Sequence, residues 1–105
     1  ALQSFINGHP GSKYIAEANA LMDEGRKKLE DKEAASAKLY FQLGQHKAAS
    51  IAYAAVLRQY PESPAADYYQ YMVVRSLYSY AQRSIESRQP ERFAAVVTAY
   101  RELAE

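Results

Sequence analysis

The chain has 105 residues, about one small domain, and 13 basic against 12 acidic residues leave a net charge of +1. That balance excludes the large field that would steer a protein to nucleic acid or an anionic membrane, and a hydrophobic content of 49% excludes a disordered chain. The absence of cysteine excludes disulfides, thiolate chemistry, cysteine zinc sites and cysteine lipidation within these residues.

No apolar run approaches the ~20 residues needed to cross a bilayer, and no signal-peptide pattern is visible. Alanine is the commonest residue and there are only 4 glycines, a balance that favours helix. The predicted fold is all-α, with about four helices in the order long, short, long, short. The opening Ala-Leu-Gln-Ser reads as an interior cut, and residues 1–8 as the tail of a truncated repeat helix. His9-Pro10-Gly11-Ser12 is a turn, with Ser12 as N-cap.

A long helix is expected over 12–43. Apolar or small residues recur at 14, 15, 18, 21, 22, 25, 29, 36, 37, 40 and 43, the spacing of one buried stripe. Gly25 is its weak point, worth ~1 kcal/mol against alanine. Gly44 ends it as a glycine just past a helix should. A short helix follows over 46–59, burying Ala49, Ala52, Tyr53, Val56, Leu57 and Tyr60. Tyr60-Pro61-Glu62-Ser63-Pro64 is the next turn, with Ser63 capping and Pro64 at the first helical position.

The third helix is expected over 64–87. Positions 65, 68, 69, 72, 73, 77, 80, 81 and 85 form its main stripe, widened by Tyr71, Val74 and Tyr78. Such a broad apolar arc implies neighbours on two sides. The last helix spans 90–104, with Phe93, Val96, Val97, Tyr100 and Leu103 inward.

The two turns are self-similar: His9-Pro10-Gly11-Ser12 and Tyr60-Pro61-Glu62-Ser63 each follow a large apolar pair, Phe5-Ile6 and Val56-Leu57. The best-formed unit runs Tyr40, Gly44, Ala49, Tyr53, Leu57, Pro61. That order matches the second half of a tetratricopeptide repeat. Alanine at 49 permits close helix approach, Tyr53 fills the gap one turn later, and Pro61 stops the helix. The expected architecture is therefore a right-handed tetratricopeptide-type solenoid fragment, with one repeat over 9–60 and another over 61–105. The turn prolines are 51 residues apart, against a standard period of about 34, so the first helix of each pair is extended.

From Phe5 to Tyr100 the chain resembles the C-terminal half of the BamD family, tetratricopeptide lipoproteins of outer-membrane assembly in Gram-negative bacteria. The matching residues are Phe5-Ile6, Pro10, Ser12, Tyr14, Lys28-Leu29, Lys32-Glu33, Ala37, Tyr40, Gly44 and Lys47-Ala48-Ala49. They continue through Val56-Leu57, Tyr60-Pro61, Ser63, Tyr80-Ala81, Ser84-Ile85 and Glu91-Arg92-Phe93. The resemblance implies a scaffold on the periplasmic side of the outer membrane. Its C-terminal repeats would dock the POTRA region of BamA, alongside other assembly subunits. Membrane contact would run through a lipid anchor outside these residues. An unrelated tetratricopeptide-type adaptor for peptides or proteins is the alternative.

Arg26, Lys27 and Lys28 form a basic turn in the long helix, and the resemblance places such a stretch near the BamA contact. The plainer reading is a solvated face paired with Asp23, Glu24 and Glu30. Tyr71 and Tyr78 lie off the main stripe and are the tyrosines expected to be exposed for binding; packing between helices is the plainer reading for any one tyrosine. His9 and His46 sit in turns without a partner at metal-ligand spacing, and His46 holds a repeat position suited to an aromatic. Glu30, Asp31 and Glu33 read as a solvated charge run. No nucleophile elbow, phosphate loop or metal motif occurs, so neither enzyme activity nor a cofactor is expected.

Overall fold

The computed structural model describes residues 13–104. Its elements in order are α1 (Lys13–Gln42), α2 (His46–Gln59), α3 (Ala66–Gln82), a 3-10 turn (Glu86–Arg88) and α4 (Gln89–Ala104). Among the described residues there is no strand, and the fold is an all-α, tetratricopeptide-like helical fragment. The expected helix tail at 1–8 and the turn at 9–12 lie outside the described residues. The chain divides into two compact units, residues 1–31 and 32–105, with the boundary inside α1.

In the first unit α1 is the one described element. Ala18 and Glu30 are buried there, while Tyr14, Leu21, Met22 and Leu29 are exposed. The stripe expected to be covered between 14 and 29 is thus mostly at the surface of this unit. Glu30, expected in a solvated run, is buried.

The second unit has one core. Ala37, Tyr53, Val56, Tyr60, Tyr69, Met72, Val73 and Ala99 are buried together, with Ala34, Phe41, Leu57 and Leu77 packed against them. Tyr53 is 1% exposed, and its ring centroid lies 6.3 Å from those of both Tyr68 and Tyr69. Burial, then the neighbouring Tyr68, pushes its phenol up to about 12, so the hydroxyl stays protonated.

The face that α1 turns to this core is Ala34, Ala37 and Phe41, three and four residues apart. Tyr40, expected to pack as a repeat residue, is 44% exposed. With Ala37 at the contact, each residue turns the helix ~100°, which sends Tyr40 to the flank and brings Phe41 inward. Leu43 is exposed for the same reason.

Gly44 has φ +80, the left-handed region that glycine enters without a Cβ penalty. Gly44 N–H donates to Phe41 O (3.1 Å) and Gln45 N–H to Tyr40 O (2.9 Å). These paired bonds are the Schellman motif, which satisfies carbonyls orphaned by the end of α1. After α2, Ser63 Oγ accepts from Ala65 N–H (3.1 Å). α3 then starts at Ala66, two residues beyond Pro64.

α3 is shorter than the 64–87 expected. It stops at Gln82, and Ile85 is extended (φ −62, ψ 149) before the 3-10 turn. No glycine or proline marks this break. At the break the Ser84 hydroxyl donates back to Tyr80 O (2.6 Å), a bond that competes with the helix ladder. Gln89 Nε2 donates to Ser84 O (3.2 Å) and Arg92 Nη1 to Ser84 Oγ (2.5 Å), so groups at the break find partners. In α4 Ala99 is buried, whereas Val97 and Tyr100, expected inward, are exposed. The α3–α4 contact is fixed by Gln70, buried, whose Nε2 donates to Ala99 O (2.7 Å).

Truncating Tyr53 to alanine should destabilise the fold by about 3–5 kcal/mol, the cost of deleting a buried aromatic, whereas Tyr40→Ala should cost under ~1 kcal/mol. Urea unfolding of both variants, followed by far-UV circular dichroism, checks the difference.

Candidate functional site

The basic turn lies on α1 in the first unit. Arg26, Lys27 and Lys28 are exposed. Lys27 Nζ donates to Asp31 Oδ1 (2.6 Å), and Lys28 pairs with Glu24 (3.4 Å), each one helical turn away. The hydrogen bond to Asp31 holds the Lys27 ammonium above its ordinary range. Lys27 and Lys28 thus each have an acidic partner on the same helix, Asp31 and Glu24.

The tyrosines lie in the second unit. Tyr68, Tyr71, Arg75 and Tyr78 recur at three- and four-residue steps and so share one face of α3. Tyr71 and Tyr78 are 47% and 48% exposed. Tyr71 and Tyr68 have ring centroids 6.5 Å apart, and Tyr78 meets Phe93 of α4 edge-on at 5.7 Å. Between them, the Arg75 guanidinium stacks over Phe41 of α1 at 4.9 Å, a cation–π contact. The side chains are half-exposed but held by neighbours. Tyr71 and Tyr78 are therefore part of one aromatic stripe with an arginine at its middle. Arg75 and Phe41 were not singled out in the sequence, because their pairing joins positions 34 residues apart.

The repeat residues have different fates. Ala49 and Tyr53 are buried, Leu57 is half-buried, and Gly44 and Pro61 are in the two turns. Glu33 is half-buried, and with the Gln59 amide nitrogen turned toward it, Gln59 donates to both carboxylate oxygens (3.2 and 2.6 Å). Among the described residues no three His, Cys, Asp or Glu side chains come together as metal ligands.

A cleft of about 420 Å³ lies where the α1–α2 turn meets the α3–α4 break, lined by Gly44, His46, Tyr80, Arg83, Ser84 and Ile85, with Arg88 and Arg92. Sequence reasoning missed these arginines, because the unsignalled break at Ser84 is what gathers them. His46 is 8% exposed, and both ring nitrogens are buried without a hydrogen-bond partner. Its ring packs edge-on against Phe41 at 4.9 Å. Burial, then the charge of Arg83, pulls its pKa below the ordinary histidine value.

The family model described as YfiO, outer membrane lipoprotein, matches residues 1–68. No curated protein matches the chain.

Burial and Arg83 favour the neutral form of His46 in the fold. As pH falls below the ordinary value of about 6.5, the unfolded chain takes up the proton first and the fold loses stability, until the depressed folded pKa is passed. The melting temperature should therefore drop more steeply from pH 7 to pH 5 in the parent chain than in His46→Phe. Parallel thermal melts across that range check it.

Proposed function

Because the chain belongs to the YfiO family of outer membrane lipoproteins, which implies association with the outer membrane, we propose that it is the C-terminal portion of a BamD-type scaffold. In this reading it is a non-enzymatic part of the β-barrel assembly machinery on the periplasmic side, and its helices dock the POTRA region of BamA. The observation that carries the docking role is the α3 stripe of Tyr68, Tyr71, Arg75 and Tyr78. Tyrosine and arginine dominate the energetics of protein interfaces, because they offer large area and hydrogen bonding on a stiff frame. Here the stiffness comes from the Phe41 and Phe93 rings that brace Arg75 and Tyr78. A braced side chain loses little entropy on binding.

The basic turn has a lesser part in this reading. Arg26, Lys27 and Lys28 are exposed and partly neutralised within α1, so they act on encounter and register more than on affinity.

The POTRA domains of BamA, titrated with the chain by calorimetry, should bind saturably. Tyr71→Ala combined with Tyr78→Ala should weaken binding at least about tenfold with little change in melting temperature. Arg26→Glu with Lys28→Glu should also weaken it without lowering thermal stability, and more so at low salt. Full affinity in both variants would overturn the proposal. Binding of peptides in place of the POTRA domains would favour the adaptor alternative.

A further inference from the structure

We infer that the cleft between the α1–α2 turn and the α3–α4 break binds a phosphate group, either as the free ion or as a phosphomonoester headgroup. This goes beyond the docking role and does not depend on it.

Three guanidinium groups, those of Arg83, Arg88 and Arg92, line one cleft, and no aspartate or glutamate is among its lining residues. The chain as a whole carries only +1, so the charge here is a local accumulation. Like charges repel when gathered, and the arrangement is relieved by an anion placed among them. Arg88 comes within 3.7 Å of Glu91, outside hydrogen-bond range. Arg83 has no ion pair among the described residues.

One of the arginines, Arg92, is positioned in advance. Arg92 stacks over Tyr80 at 4.4 Å while its Nη1 donates to Ser84 Oγ. Lys47 Nζ lies 5.8 Å from the same ring and adds a further positive charge nearby. Gly44 forms part of the wall, and a Cβ there would come within 3.6 Å of Arg83 Nη1.

A second observation points to a ligand. His46 lines the cleft and is buried, yet neither ring nitrogen has a partner. A buried polar group without a hydrogen bond is destabilising, and a shift of the ring that brought its N–H to a phosphate oxygen in the cleft would satisfy that donor. The guanidinium fork matches the oxygens of phosphate two at a time. A phosphate dianion also offsets more of three positive charges than the single charge of a carboxylate does. An acidic peptide would have to bring two separate carboxylates into the cleft to match it, which favours phosphate as the more compact ligand.

Amide spectra of the 105-residue chain, titrated with inorganic phosphate at constant ionic strength, should show saturable shifts clustered at Gly44, His46 and residues 84–88. Arg83→Gln with Arg88→Gln should weaken binding at least about tenfold, while Arg58→Gln, on the exposed side of α2, should leave it unchanged. If circular dichroism shows the double variant unfolded, Arg88→Gln carries the comparison, since its side chain is largely in solvent. Sedimentation with phosphatidylcholine vesicles, with and without phosphatidic acid, separates the two sources. Arginine-dependent binding to the phosphatidic acid vesicles identifies a headgroup, and binding of the ion without the vesicles identifies free phosphate. The inference falls if shifts do not saturate by about 50 mM phosphate, if Arg58→Gln loses as much as the cleft variants, or if an acidic peptide binds where phosphate and vesicles do not. Absence of phosphate binding in the parent chain, with POTRA docking intact, would overturn this inference and leave the docking proposal standing.

Discussion

The second unit is organised around the burial of Tyr53. Its phenol ring extends from α2 to the paired rings of Tyr68 and Tyr69 on α3, and it belongs to the same buried cluster as Ala37 of α1 and Ala99 of α4. A tyrosine is long enough to span helix layers, and buried aromatic area is the largest single hydrophobic contribution a side chain can make. The small residues matter for the same reason: alanines at 34 and 37 let α1 come close enough for the ring to be covered. That covering sets the rotation of α1, brings Phe41 inward and leaves Tyr40 at the flank.

The rotation of α1 has consequences at the surface. Once inward, Phe41 meets two side chains from different elements, the His46 ring and the Arg75 guanidinium. Through Arg75 it braces the tyrosine stripe of α3, and it packs against His46, which lines the arginine-bearing cleft. The two candidate binding features of this unit thus share a packing residue. A change at Phe41 would be felt in both, as is usual where side chains touch in a close-packed interior.

Charge is distributed in two contrasting ways. On α1 the basic side chains alternate with acids one turn away and largely cancel, so their net contribution to stability is small in water. At the α3–α4 break three arginines line a cleft that has no acidic lining residue, with Glu91 reaching only Arg88, and burial and Arg83 favour the neutral form of one buried histidine. Stability alone would not select that accumulation. Positive groups gathered in one cleft with little compensation are the arrangement that anion recognition requires.

Composition and spacing sufficed for the helices: abundant alanine, few glycines and three- to four-residue apolar steps leave little else for this chain to form. The turn at Gly44 was also legible, because a positive φ is open to glycine and closed to most other residues. So was the burial of Ala49 and Tyr53, since their repeat positions dictate close approach and gap filling. The end of α3 was not legible. At the break Ser84 bonds back to Tyr80 and accepts from Arg92, and the latter partner is reached only after the chain has folded back. Likewise, Arg83, Arg88 and Arg92 are unremarkable surface charges in the sequence and become one site by that break. Local propensity is written residue by residue, so the sequence by itself determined the helices and the Gly44 turn. The rotation of α1, the bracing of Arg75 and the arginine cleft depend on contacts between distant positions, and the tertiary structure decided them.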